Sequence, residues 1–200
     1  MKLHGLLDVI FPAQCAACGA LGDGLCARCV TVDGPCARRE LATLQVRALG
    51  PYDGALRRAV LALKDGRRDV AAALAARLAP WLEPGMLLVP VRTTPARRRV
   101  RGFDGVELLA RTAASRCGAR VLPALEPRVR DAQRGRSGAQ RRAARDRFAC
   151  DATLVAGCEV TLVDDVCTTG STLEDCAAAL RAAGARVSQA LVIAVANGGA

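Results

Sequence analysis

The residues best suited to chemistry fall in one short run, "VTLVDDVCTTGST" at 160–172. Asp164 and Asp165 repel each other, so keeping them side by side implies either a solvated strand end or a ligand that uses both. An apolar strand ending in two acids delivers them to the carboxyl edge of a sheet, where ligands of open α/β sheets bind. Thr168, Thr169, Gly170, Ser171 and Thr172 then open a helix. Its free N–H groups and positive dipole end attract an anion, and the hydroxyls and glycine let the backbone close around phosphate oxygens. Carboxylates a few residues upstream are placed to accept hydrogen bonds from vicinal sugar hydroxyls. An anion loop joined to a diol-binding pair describes a ribose 5-phosphate site. Two plainer readings compete. Ser171-x-x-Glu174 is a capping box, which explains helix initiation but not the paired aspartates or the extra threonines. The strand also resembles a Walker B strand, but no G-x-x-x-x-G-K-[ST] loop accompanies it.

The second chemical cluster is Cys15-x2-Cys18 with Cys26-x2-Cys29. Two such knuckles give four thiolates, the set a tetrahedral structural Zn2+ requires. Gly19 suits the tight turn that aims backbone N–H groups at sulfur. Redox-active or incidental cysteines are the alternative. Cys36 has no partner two residues on, and Cys117, Cys150, Cys158, Cys167 and Cys176 share no ligand spacing, so each reads as a small half-buried residue. Cys167 lies inside the acidic motif, but the only histidine, His4, is far away in sequence, which argues against Cys–His nucleophilic chemistry.

These residues need a frame, and the composition bounds it. The chain has 200 residues, 52% hydrophobic and 24% charged, which suits one ordinary domain with a small appendage. Aromatics make up only 2%, so the core must be built from Ala, Leu and Val. A net charge of +10 favours polyanionic partners without choosing among them. No secretory signal or membrane-spanning stretch is visible, and ten cysteines without an export signal point to a reducing, cytoplasmic setting.

Along the chain, residues 3–11 read as a short amphipathic helix and 42–54 as a strand ending in a Pro/Gly turn. Helical patterns follow over 54–66 and 69–82. A buried strand at 86–91 leads into an arginine-rich loop and then a helix over 105–116. Residues 128–147 hold eight arginines and no sustained apolar face, which reads as a long loop. A strand over 159–165, a helix over 171–185 and a closing strand over 186–196 complete the pattern. Strands alternating with helices imply a mainly parallel sheet.

The 160–172 run resembles the phosphoribosyl pyrophosphate (PRPP) motif of type I phosphoribosyltransferases. The surrounding chain narrows the resemblance to the ComF family, competence-associated proteins related to amidophosphoribosyltransferases. The cysteine knuckles, "YDGALRRAVLALKDG", "VPVRTTPARRRVRGFD" and the Gln133…Arg141…Phe148 segment follow in the family's order. The family usually continues Arg-Gly-Phe with Asn-Gln, where this chain has Asp104-Gly105, and it favours Leu and Asn where Arg136 and Ala144 stand.

The resemblance implies an α/β fold of the phosphoribosyltransferase type, a parallel sheet flanked by helices, over 41–200, with a zinc-ribbon-like element over 1–40. It implies PRPP bound with Mg2+ by Asp164, Asp165 and residues 168–172. Pyrophosphate is expected on Arg97, Arg98, Arg99 and Arg101, and segment 128–147 as a closing loop. Lys64 is expected to face the site. A Mg2+-dependent phosphoribosyl transfer linked to DNA uptake is the implied activity. A PRPP-sensing or single-stranded-DNA-binding role without turnover is the alternative. For the arginines, a merely solvated face is the competing explanation, and a DNA role is opposed by the scattered aromatics.

Overall fold

The computed structural model describes residues 13–29, 37–128 and 147–196. The expected helix at 3–11, Cys36 and positions 129–146 of the arginine-rich segment lie outside the described residues. A six-stranded sheet organises the rest, in the order β1 (Ala37–Glu40), β2 (Gln45–Pro51), β8 (Arg186–Val195), β7 (Glu159–Cys167), β3 (Leu87–Pro90), β4 (Arg120–Val121). Every neighbouring pair is parallel except β1 with β2. The fold is therefore the expected α/β class with a largely parallel sheet. A separate antiparallel pair, β5 (Leu125–Pro127) and β6 (Phe148–Cys150), flanks the chain segment that lies outside the described residues.

Period-two alternation sorts the strand residues between two cores. On β7, Val163 packs with one cluster and Leu162 with the other, and on β3 Leu88 and Val89 divide in the same way. The first face is covered by α1 (Gly54–Lys64), α2 (Arg68–Leu78) and α4 (Gly105–Cys117). Leu56, Val60 and Leu63 form the buried stripe of α1, as the helical spacing predicts. The second face is covered by α6 (Ser171–Ala182), through Leu173, Cys176, Ala177 and Leu180, with Val155 of the short α5 (Ala152–Val155). Alanines such as Ala59, Ala71, Ala75, Ala110 and Ala113 are fully buried, so small side chains replace the missing aromatics by close helix approach.

Several elements depart from the sequence pattern. The arginine-rich stretch after β3 is not a loop throughout; Pro95–Arg101 forms a helix, α3. Thr94 precedes it in extended conformation, Pro95 occupies its first turn, and Gly102 ends it at φ 73°, so caps at both ends delimit it. No residue of α3 is buried, which explains why no apolar period marks it. The acidic strand also continues two residues past the acids, to Cys167. Strands β1, β4, β5 and β6, each of two to four residues, arise from tertiary pairing.

Candidate functional site

The carboxyl ends of β3 and β7 and the first residues of α4 and α6 border a cleft of about 680 Å³. Asp164, Asp165, Thr172, Lys64, Arg97 and Arg101 all line it. The acidic pair and two of the four arginines singled out from the sequence thus reach one cavity from different elements. Thr168, Thr169, Gly170 and Ser171 lie beside it rather than in its lining. Arg98 and Arg99 also stand outside it: Arg98 pairs with Glu126 at 3.0 Å, and Arg99 is exposed.

Asp165 faces the α1 side, where Lys64 Nζ stands 3.0 Å from its Oδ2. Lys64 is the last residue of α1, so the buried stripe of that helix aims it. Asp164 Oδ1 accepts a hydrogen bond from the Asp165 N–H at 2.7 Å. Asp164 keeps a little accessible surface on the cleft floor, but the protein packed around its carboxyl desolvates it. Desolvation, and then the neighbouring Asp165 charge, push its pKa well above the ordinary carboxylate range, against the Asp165 N–H and Lys64. The acids are therefore not the solvated strand end that the plainer reading required.

The helix start is built differently from a capping box. Gly170 is the residue that precedes α6, at φ 84°, a left-handed conformation that favours glycine. A Cβ there would stand 2.5 Å from Leu41 Cδ2, so backbone and packing both demand glycine. Glu174 does not fold back on the helix start; it accepts from the N–H of Thr43 at 2.9 Å and from the Thr43 hydroxyl. Arg181 donates to Thr43 Oγ1 at 2.7 Å, and Arg39 donates to the carbonyls of Thr168 and Ala196. The turn between β1 and β2 thus braces the hydroxyl loop. Thr169 Oγ1 accepts from the Ser171 N–H at 3.3 Å, at the first residue of α6.

Further cleft residues carried little sequence signal. Arg92 pairs with Glu107 at 3.1 Å and also with Glu126. Asp104 is only 7% exposed, and its carboxylate accepts from the N–H groups of Thr93, Val106 and Glu107. The signal available for it was Asp-x-x-Glu just after Gly102, a helix-start pattern. Gly105 lets α1 approach α4, since a Cβ there would stand 3.1 Å from Leu63 Cγ. Arg128, Arg147, Pro127 and Phe148 of the β5–β6 pair close one side of the cleft.

The four knuckle cysteines form a second centre. The sulfurs of Cys15, Cys18, Cys26 and Cys29 lie within 4.8 Å of one another, a cluster that can hold a metal ion. Burial opposes a Cys15 thiolate, but the N–H groups of Cys26 and Ala17, each 3.4 Å from Sγ, outweigh it and bring the thiol down to about 6. Hydrogen bonding among the sulfurs, with Cys18 first, and burial push Cys29 up to about 12. Gly19 adopts φ 73° and donates its N–H to Cys15 O at 2.9 Å, the turn its position implied. Leu25 anchors the unit in the first core, and Arg77 of α2 donates to Leu25 O at 3.0 Å.

No family model matches this chain, and neither does any curated protein. Among solved structures, that of the allosteric regulatory enzyme of purine biosynthesis aligns at 20% identity with a TM-score of 0.49. The alignment covers 66% of this chain and 30% of that one. Among the described residues, no helix is long and apolar enough to cross a membrane.

Proposed function

We propose that this chain binds PRPP with Mg2+ and acts as a phosphoribosyltransferase of the ComF type, linked to DNA uptake. One observation carries the reading: a single cleft collects the Asp164–Asp165 pair, Thr172 at a helix start, and the guanidiniums of Arg97 and Arg101. A ribose bearing phosphate at one end and diphosphate at the other matches those three chemistries in one molecule. The acids would accept from the ribose hydroxyls, the start of α6 would take the 5-phosphate, and the α3 arginines would take the pyrophosphate. Carboxylate oxygens suit a hard cation, so Asp164 and Asp165 would hold Mg2+ directly or through water, and the ion would neutralise charge on the diphosphate.

In the transfer, the bond from the anomeric carbon to pyrophosphate breaks and its electron pair departs with pyrophosphate. A new bond forms from that carbon to the acceptor, which gives up its proton. Arg97 and Arg101 stabilise the leaving charge, and the acids stabilise the electron-poor ribose, so catalysis rests on positioning and electrostatics. The four cysteines would hold one structural Zn2+, since four sulfurs with N–H donors directed at Cys15 suit a closed tetrahedral site. Calorimetric titration with PRPP and Mg2+ tests the reading, followed by a pyrophosphate-release screen over amines and nucleobases. Binding should weaken more than about tenfold in Asp164→Asn/Asp165→Asn, the loss expected when charged hydrogen-bond acceptors are removed. A parent protein that ignores PRPP, or a variant that binds it equally well, refutes the assignment.

A further inference from the structure

The helix that carries Arg97 and Arg101 is attached in an unusual way. None of its residues is buried, and Val100 is 89% exposed, so α3 has no apolar footing of its own. It is an excursion that leaves the sheet after Val91 and returns at α4. It is held by one mid-helix ion pair and by the residues that flank it. Phe103, at the return, packs against the first core under the Arg68 guanidinium, 5.0 Å from the ring centre. Arg98 pairs with Glu126, itself an exposed partner. At the base stands Asp104. Its Oδ1 accepts from Val106 and Glu107 at 3.1 and 3.2 Å and so starts α4, while its Oδ2 accepts from the Thr93 N–H at 2.8 Å.

We propose that Asp104 is the positioning residue of the arginine arm, a clasp that joins the departing backbone at Thr93 to the returning helix and so fixes Arg97 and Arg101 in the cleft. The inference rests on the diphosphate reading of those arginines given above. Closing an excursion with no buried residue of its own removes conformational freedom that bound diphosphate would have to remove instead. The two oxygens do different work. Asparagine offers one acceptor oxygen, and the two donors of α4 claim it. Its NH2 then opposes the Thr93 N–H, so Asp104→Asn keeps the helix start and opens the clasp. Asp104→Ala loses both.

The test uses the full chain with inorganic pyrophosphate and Mg2+ as one probe and ribose 5-phosphate as the other. In Asp104→Asn the Thr93 amide should lose hydrogen-exchange protection while those of Val106 and Glu107 keep it. Pyrophosphate affinity should fall about tenfold, the effect of one charge-assisted hydrogen bond. Ribose 5-phosphate affinity should not fall, whereas a general loosening of the fold would lower both. In an Arg97→Ala/Arg101→Ala background, Asp104→Asn should cost nothing further, because the clasp acts through those side chains. Unaltered pyrophosphate binding, an equal loss for both ligands, or additive losses in the triple variant overturns the proposal. A parent that binds neither probe refutes the PRPP reading itself. The amide pattern then still judges the clasp, which fails if Thr93 stays protected.

Discussion

Asp164→Asn probes the electrostatics at the floor of the cleft. Desolvation first, and the Asp165 charge second, hold the Asp164 carboxyl well above its ordinary range in the folded chain. A carboxyl raised on folding binds its proton more tightly in the folded state. Its stabilising contribution is therefore complete below the unfolded value, about 3.9, and is lost as pH rises through the folded value. Between the two values the folded chain holds one more proton than the unfolded chain. Unfolding free energy from this group then falls by about 1.4 kcal/mol per pH unit. Every other ionisable group of the chain also contributes to the raw pH profile. The quantity to measure is accordingly the difference between parent and variant.

Asparagine preserves shape and can still accept the Asp165 N–H, so the variant should be the more stable protein at pH 7. Ligand-free thermal melts from pH 4 to 7.5 should show the stability of the parent, relative to the variant, declining as pH rises from 4 towards the folded value. For a chain of this length a kcal/mol corresponds to about 2–4 °C, so the steepest part should reach roughly 3–6 °C per pH unit. A flat difference curve, or a variant less stable than the parent at pH 7, would refute the claim that folding strains this carboxyl.

The other predictions concern the frame. Purified protein should carry about one zinc per chain, lost in Cys15→Ser/Cys29→Ser with a drop in melting temperature on the order of 10 °C, because Leu25 ties the knuckles to the core. Metal analysis and calorimetry check this, and metal-free protein with an unshifted melt would show the knuckles to be dispensable. Gly170→Ala should cost roughly 2–4 kcal/mol, from about 1–2 for a left-handed backbone and a similar amount for overpacking against Leu41. Leu41→Ala introduced beside it should recover part of that loss in denaturant titrations, and no recovery would mean the Leu41 contact is unimportant.

The parts of this architecture legible in the sequence are those whose cause is local. Leu56, Val60 and Leu63 repeat at helical spacing because α1 buries one stripe, and 160–163 is mainly apolar because β7 is covered on both faces there. The four-cysteine spacing was readable because two local Cys-x2-Cys turns are enough to bring four sulfurs together. What escaped depends on distant partners. Ser171-x-x-Glu174 has the form of a capping box, but Thr43, 131 residues from Glu174, takes that carboxylate instead. Helix α3 buries nothing, so only its end residues, Thr94-Pro95 and Gly102, mark it. Asp104 looked like a departure from a pattern, and its second oxygen has a use only once Thr93 lies beside it.

The charges of the cleft are segregated by sign. Asp104, Asp164 and Asp165 line it together, and the Asp104 charge adds to the burden on Asp164. Lys64 answers only Asp165 directly, at 3.0 Å. Arg97 and Arg101, meanwhile, line the same cavity from a helix without buried contacts. Moving the arginines onto the acids would quench both sets, yet α3 is held away from them, with its base fixed by Asp104 and Arg98 turned to Glu126. A chain selected only for stability gains nothing from keeping opposite charges apart in one cavity. A ligand that is anionic at its ends and offers hydroxyl donors, or brings a cation, at its centre relieves both sets at once. Binding such a ligand is where the energy withheld from folding would be recovered.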